Sequence, residues 1–252
     1  MEGGDAEISV LDYEKIAEGN NGYALWVAGA LAKDGCIYYL PFHASRVLKL
    51  DPHNHDSLSL VGEDLEDADI GVVVLGGDEC IYGIPSEGNN LIKYDPLHDK
   101  LSIVQDAFTG YHFNLGGVLG ADGNIYAANG YGQIIKIDTA TSVCTIIGCK
   151  KNKGYNLGWG SAVLGADMCI YFPPHDLDQV LKFNPSTHNI SLIGDSYGSN
   201  RYKWCGGVLA SNGNIYYVPY SAKYILQVDA REVNEQMIGL VQNINETQKN
   251  DI

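Results

Sequence analysis

One dipeptide, Ile-Tyr, recurs along this chain at Ile37-Tyr38, Ile81-Tyr82, Ile125-Tyr126, Ile170-Tyr171 and Ile215-Tyr216. The tyrosines are spaced by 44, 44, 45 and 45 residues. A period of that size marks a structural repeat. The similarity extends to both sides of the pair. Upstream lie small residues and then an apolar run, as in Ala28-Gly29-Ala30-Leu31, Gly116-Gly117-Val118-Leu119, Gly160-Ser161-Ala162-Val163 and Gly206-Gly207-Val208-Leu209. A turn follows, as in Lys33-Asp34-Gly35, Ala121-Asp122-Gly123 and Ser211-Asn212-Gly213. Three residues after each tyrosine stands Pro41, Pro85, Asn129, Pro174 or Pro219.

A third apolar run in each unit ends in an acid or amide, at Asp51, Asp95, Asp138, Asn184 and Asp229. A fourth closes the unit, as in Leu58-Ser-Leu-Val-Gly62 and Ile190-Ser-Leu-Ile-Gly194. Each unit therefore reads as four short strands joined by turn chemistry, Asp-Gly and Asn-Gly supplying the positive φ of the first hairpin. One such meander cannot bury both of its faces, so the copies must stack. Strands apolar on both faces fit radially packed blades better than a two-sheet sandwich. The expected fold is all-β: a five-bladed β-propeller with four antiparallel strands per blade. It would form a single domain over 1–252, with blades near 27–66, 69–105, 113–149, 157–195 and 203–240. Residues 1–17, with a strand pattern at Ile8–Ile16, are expected to help close the ring, and 241–252 form a polar tail.

The units resemble the blades of the kelch and NHL/lactonase propeller superfamilies, over nearly the whole chain from Gly29 to Gly239. The Gly-Gly opening and the order Ile-Tyr, apolar-Lys-apolar, Asp-Pro are similar to kelch, without its second glycine pair or its fourth-strand tryptophan. The Asp-Gly-x-Ile-Tyr element is similar to NHL and gluconolactonase blades. The resemblance implies an architecture, and propellers host many unrelated activities.

Composition narrows the partners. A formal charge of −15, from 31 acids against 16 bases, disfavours nucleic acid and anionic membranes, whose phosphates are bound by neutralising them. No apolar run is long enough for a membrane span, and the acidic N-terminus lacks the pattern of a secretory signal or transit peptide. Cys36, Cys80 and Cys169 hold one repeated slot, with Asn124 and Asn214 in its other copies. Repeated positions lie too far apart for disulfides, and Cys144, Cys149 and Cys205 show neither pairing nor zinc spacing. Free thiols point to a reducing, intracellular compartment, or an organelle if a transit peptide has been removed. No cofactor or metal is expected.

Two loop sets carry the candidate site, those entering each first strand and those joining second to third strands. Together they place Tyr23, Trp26, Phe42, His43, Glu87, Tyr111, His112, Asn129, Tyr131, Tyr155, Trp159, His175, Tyr202, Lys203, Trp204 and Tyr220 around the expected central mouth. Such aromatic and polar groups suit a protein loop or a sugar. Repetition of tyrosine argues for packing, so His43, His112, His175, Lys203 and Glu87, which do not repeat, are the sharper candidates. His53, His55, His98 and His188 fall in turns before the fourth strands, and His53-Asn-His55 reads as a solvated turn rather than a metal site. The lysines at 49, 93, 136 and 182, each two residues before an acid or amide, read as a repeated interblade or surface pairing. Asp51, Asp95 and Asp138 are expected to accept turn hydrogen bonds.

No nucleophile, zinc-protease or phosphate-loop motif is present, and the leading expectation is a non-catalytic interaction or scaffold propeller bound to protein partners. A multivalent lectin is the first alternative. A lactonase-like metal-dependent hydrolase, with Glu87 and Asn129 as its nearest oxygen ligands, is the second. Alkylation of the denatured, non-reduced protein followed by mass spectrometry should count six free thiols. Two or three internal bridges would overturn the reducing-compartment assignment.

Overall fold

The computed structural model describes residues 10–11, 24–65, 68–86, 88–104, 116–129, 132–148 and 158–231. They are all-β, with no helix among them. The chain divides into two compact units, Met1–His112 and Phe113–Ile252.

The first unit holds two four-stranded antiparallel meanders. One is β1 (Trp26–Leu31), β2 (Ile37–Pro41), β3 (Val47–Asp51) and β4 (Ser57–Val61). The other is β5 (Ile70–Leu75), β6 (Ile81–Pro85), β7 (Leu91–Asp95) and β8 (Lys100–Val104). The second unit holds three sheets. The first comprises β9 (Gly117–Leu119), β10 (Ile125–Ala128), β11 (Ile134–Ile137) and β12 (Cys144–Ile147). The next comprises β13 (Val163–Leu164), β14 (Ile170–Phe172), β15 (Val180–Asn184) and β16 (Asn189–Ile193). The last has three strands, β17 (Trp204–Leu209), β18 (Asn214–Pro219) and β19 (Leu226–Asp229). Its expected fourth strand at 236–239, and the expected strand Ile8–Ile16, lie outside the described residues.

The first hairpin of every sheet is built alike. A backbone N–H of Ala32, Gly76, Gly120, Gly165 or Ala210 donates to the carbonyl four residues on, and a tighter bond closes the turn inside it. The last turn residue is left-handed in all five copies: Gly35, Glu79, Gly123, Met168 and Gly213. Only glycine adopts that conformation without steric cost, so Glu79 and Met168 carry local strain. This is a three-residue loop with one left-handed position, in which the middle residue is free to act as an acceptor.

That middle residue clamps the repeat tyrosine. Asp34, Asp78, Asp122 and Asp167 accept the hydroxyl proton of Tyr38, Tyr82, Tyr126 and Tyr171 at 2.7, 2.9, 2.7 and 2.7 Å. Their other oxygen caps the N–H two residues on, that of Cys36, Cys80, Asn124 or Cys169. The tyrosines themselves are fully buried. Their neighbours on the third strand are the repeat lysines, through the pairs Tyr38↔Lys49, Tyr82↔Lys93, Tyr126↔Lys136 and Tyr171↔Lys182.

This register corrects the expected lysine pairing. Lys93 and Lys182 reach across the strand pair to the turn acids Asp78 and Asp167 of their own sheets, each at 2.7 Å, with their ammonium groups over the tyrosine rings. The acid two residues after each lysine caps its own turn instead. Asp51 accepts from the His53 N–H, Asp95 from Leu97 and Asp138 from Thr141. In the last sheet both charges are absent together. Asn212 donates to the Tyr216 hydroxyl at 3.0 Å, and Gln227 pairs with Tyr216 across the strands. Losing both partners avoids stranding one charge in a half-buried site.

Neighbouring sheets within each unit bury aromatic side chains between them. Tyr38 meets Tyr94 at 5.4 Å, and Tyr126 meets Phe183 at 5.2 Å. The Tyr217 hydroxyl donates to the Tyr171 carbonyl at 2.8 Å. Cys36, Cys80 and Cys169 are buried and free, and Cys144 and Cys205 are half-buried and free. Burial pushes the Cys80 thiol up to about 11.

Burial alone would raise the pKa of Asp167, but hydrogen bonds from Lys182 and Tyr171 outweigh it and hold the carboxyl below its ordinary value. A carboxyl depressed on folding contributes stability that is complete above its unfolded pKa of about 3.9 and is lost as pH falls through its folded value. Asp167→Asn should therefore cost about 2 kcal/mol at neutral pH, the worth of a hydrogen bond to a charged group. In urea melts, the gap from wild type should narrow below about pH 4. A gap that stays constant into acid would show that the carboxylate charge does not matter.

Candidate functional site

Of the candidate residues, Tyr23, Glu87, Tyr111, His112, Tyr131 and Tyr155 lie outside the described residues. The rest fall into three groups.

The tryptophans sit where the entering loop becomes the first strand. Trp26, Trp159 and Trp204 donate their indole N–H to the carbonyl twenty residues on, those of Arg46, Gln179 and Tyr224, at 2.9, 3.1 and 2.8 Å. Trp159 and Trp204 are 6% exposed. These rings pin the loop that precedes the third strand. Asn129 likewise turns inward: its amide donates to Gln133 Oε1 at 3.0 Å, and its own oxygen accepts the Gln133 N–H at 2.9 Å. That closes the β10–β11 loop.

In the first unit, His43 stands 3.6 Å from Asp69, with the Phe42 ring edge-on to the imidazole at 4.4 Å. Asp69, in a left-handed conformation, donates its N–H to the Phe42 carbonyl. The acid, part of the Glu63–Asp69 run, was not among the site candidates.

The densest group lies in the second unit, where the β14–β15 loop meets the segment entering β17. The Lys203 N–H donates to the His175 carbonyl at 2.9 Å, and the Tyr220 N–H to the Lys203 carbonyl at 2.9 Å. At the centre is Asp176, its side chain 1% exposed. It pairs with His175 Nδ1 at 2.9 Å, accepts Arg201 Nε at 3.0 Å and accepts the Tyr202 N–H at 2.9 Å. Burial would raise its pKa, but the Tyr202 N–H and the Arg201 guanidinium hold it low. Burial lowers His175, against the pull of Asp176. Lys203, 4% exposed, is lowered by burial and donates to the carbonyls of Gly198 and Asn200.

Around this buried charge cluster stand aromatic rings. Tyr202 meets His175 at right angles at 5.1 Å, Tyr220 lies 6.1 Å from Tyr202, and the Arg201 guanidinium covers the Tyr202 face at 5.0 Å. Tyr220 is 72% exposed and Tyr202 40%. Sequence reasoning placed His175, Tyr202, Lys203 and Tyr220 in the site and left out Asp176 and Arg201, which organise it. The available signal was an acid directly after the candidate histidine, with an arginine in the facing loop. Chemically the arrangement is a set of satisfied charges that fixes two tyrosines at the surface. No group of three or more His, Cys, Asp or Glu that could hold a metal occurs among the described residues. No helix long and apolar enough to cross a membrane occurs among them either.

No protein-family description matches the sequence, and no curated protein matches it. Solved structures do. A catalytically inactive virginiamycin B lyase from Staphylococcus aureus, with quinupristin, superposes with a TM-score of 0.64 at 12% identity, over 80% of this chain. This chain spans 65% of that lyase's length. A streptogramin B lyase structure gives 0.61 at 13% identity, over 77% of this chain and 62% of that one. The extracellular domain of a one-component system protein from B. thetaiotaomicron gives 0.60 at 17% identity, over 79% and 26%. The fold is thus propeller-type, in keeping with the resemblance to lactonase-type blades, and at these identities the likeness concerns fold alone.

His175 occupies the position that Phe42 holds in the first sheet, each following the proline that pairs with a tryptophan. A histidine depressed on folding contributes stability present above its unfolded pKa of about 6.5 and lost as pH falls below it. Wild type should lose denaturant resistance between pH 7.5 and 5.5, and His175→Phe should lose measurably less. Equal losses would show that the imidazole stays out of the transition.

Proposed function

We propose that the chain is a five-bladed, non-catalytic interaction propeller that presents tyrosine-bearing loops to a protein partner inside a reducing compartment. The observation that carries this reading is the second-unit cluster. Its ionisable groups, Asp176, Arg201 and Lys203, are engaged with one another or with backbone. What reaches solvent is the tyrosine pair 202 and 220. Exposed tyrosines held rigidly give contact area at low entropic cost, which is what a recognition surface requires. The charge of −15 favours a partner with basic groups on its rim.

The lectin and lactonase-like hydrolase readings rest on the same loops and on Glu87 and Asn129. Asn129 is tied into its own loop, which leaves the hydrolase reading without its described ligand. The test is affinity capture from a gentle extract, using wild type beside a Tyr202→Ala/Tyr220→Ala double variant. Specific partners held by wild type, and lost at least tenfold in the variant, would support the reading. An empty wild-type capture, together with a saturable glycan-array signal or a tightly bound divalent ion, would replace it.

A further inference from the structure

Where one sheet packs on the next, the chain leaving a fourth strand doubles back over the seam. After β4, Gly62 turns with φ +73°. Three residues on, Leu65 donates its N–H to the Ser45 carbonyl at 2.6 Å and buries its side chain among Val47, Ile70 and Ile92. After β16, Gly194 turns with φ +80°. Three residues on, Tyr197 donates its N–H to the Asp178 carbonyl at 2.8 Å and sets its ring edge-on to Trp204 at 5.0 Å. Ser45 and Asp178 each lie two residues before a third strand. The device is the same at both seams: a glycine turn, one N–H to a fixed carbonyl, and an apolar plug three residues after the glycine.

The seam between the β9–β12 and β13–β16 sheets repeats the frame. Gly148 turns after β12 with φ +74°, and Gly132 stands two residues before β11, where Ser45 and Asp178 stand elsewhere. Here a cavity of about 150 Å³ lies open, lined by Gly132, Ile134, Ile147, Gly148, Trp159 and Leu192 among others. No described side chain plugs it. The residue three after Gly148 is Lys151, where the other seams have Leu65 and Tyr197. It belongs to Lys150-Lys151-Asn152-Lys153, the densest run of positive charge in a chain of net charge −15. Three residues of backbone keep Lys151 within about 11 Å of Gly148, so that charge stays at the rim of the slot.

We propose that this slot binds a peptide: an extended acidic segment of a partner protein that inserts one tyrosine- or leucine-sized side chain onto Trp159. The two plugged seams define what fits. They show the side chain class, and an N–H directed to the carbonyl that Gly132 supplies here. The lysine run meets the acids on either side of the anchor, and burial of the anchor in an apolar slot supplies the affinity. The inference rests on the interaction reading and names one partner chemistry for it.

The probe is the acetylated and amidated pentapeptide Asp-Glu-Tyr-Asp-Glu, titrated against full-length protein with labelled isoleucine and leucine methyls. Saturable shifts should appear at Ile134, Ile147 and Leu192, and the same peptide with alanine for tyrosine should bind about tenfold more weakly or worse. Lys151→Tyr, which restores the plug of the other seams, should raise the melting temperature and abolish peptide binding. Leu192→Phe, which narrows the slot from its wall, should weaken binding as well. Absent methyl shifts, or equal binding of the alanine peptide, would overturn the proposal. So would a Tyr155→Ala or Leu157→Ala variant that melts lower and only then takes up the peptide, since the chain would then be filling its own slot. A partner captured equally by wild type and Lys151→Tyr would leave the interaction reading standing while overturning this slot.

Discussion

The bond from a turn aspartate to the tyrosine hydroxyl four residues on is what the rest of the structure depends on. A tyrosine ring can be fully buried between sheets only if its hydroxyl finds an acceptor, because an unmet polar group in an apolar seam costs more than the ring's burial at that spot is worth. The turn supplies that acceptor from within the same hairpin, at 2.7 Å in three copies and 2.9 Å in the fourth. The same carboxylate caps the N–H at the start of the second strand, so one side chain fixes the turn, the strand register and the core ring together. The lysine opposite then neutralises it, directly at Asp78 and Asp167. The last sheet keeps the geometry with Asn212 and Gln227, which shows that hydrogen bonding is the constant element and charge the variable one.

The repeat was legible in the sequence for this reason. The tyrosine, the turn acid and the lysine recur because each copy solves the same burial problem, and the spacing between them is set by a three-residue hairpin loop. The strands of the five described sheets fall where the apolar runs lie. The lysine partner was misread because sequence adjacency drew attention to the acid two residues on. In a strand those two residues share a face, but that acid ends the strand and is spent on its own turn. The true partner lies across an antiparallel pair, a relation that only the register reveals.

The candidate site was legible in a different proportion. Aromatics that repeat are occupied with packing: the three indoles each donate to a carbonyl twenty residues on, a bond that holds one loop against the next. Histidine and lysine at 175 and 203, which do not repeat, do come together. Asp176 and Arg201 stayed unread as organisers because their importance comes from burial. An acid followed by nothing distinctive gives no periodic signal, and its 1% exposure depends on a loop more than twenty residues away.

A repeat protein earns its stability from positions that are the same in every copy, so selection for a ligand can act freely only where the copies differ. Three such departures occur among these sheets, and they are not equivalent. Loss of the Asp/Lys charge pair in the last sheet is compensated in place by two amides, and leaves the local hydrogen bonding intact. Gathering of charge around Asp176 is also internally satisfied, and its product is a fixed pair of surface tyrosines. The missing plug at Trp159 differs in kind. Nothing described compensates it, because an apolar slot that a leucine or a tyrosine fills elsewhere is left with water against Trp159 and its aliphatic walls, a state apolar surface resists in proportion to its area. A lysine at the plug position forgoes that stabilisation while adding charge at the rim. Of the three departures it is the one that gives up stability without a local return, and such a loss is what a binding site, rather than a packing variant, entails.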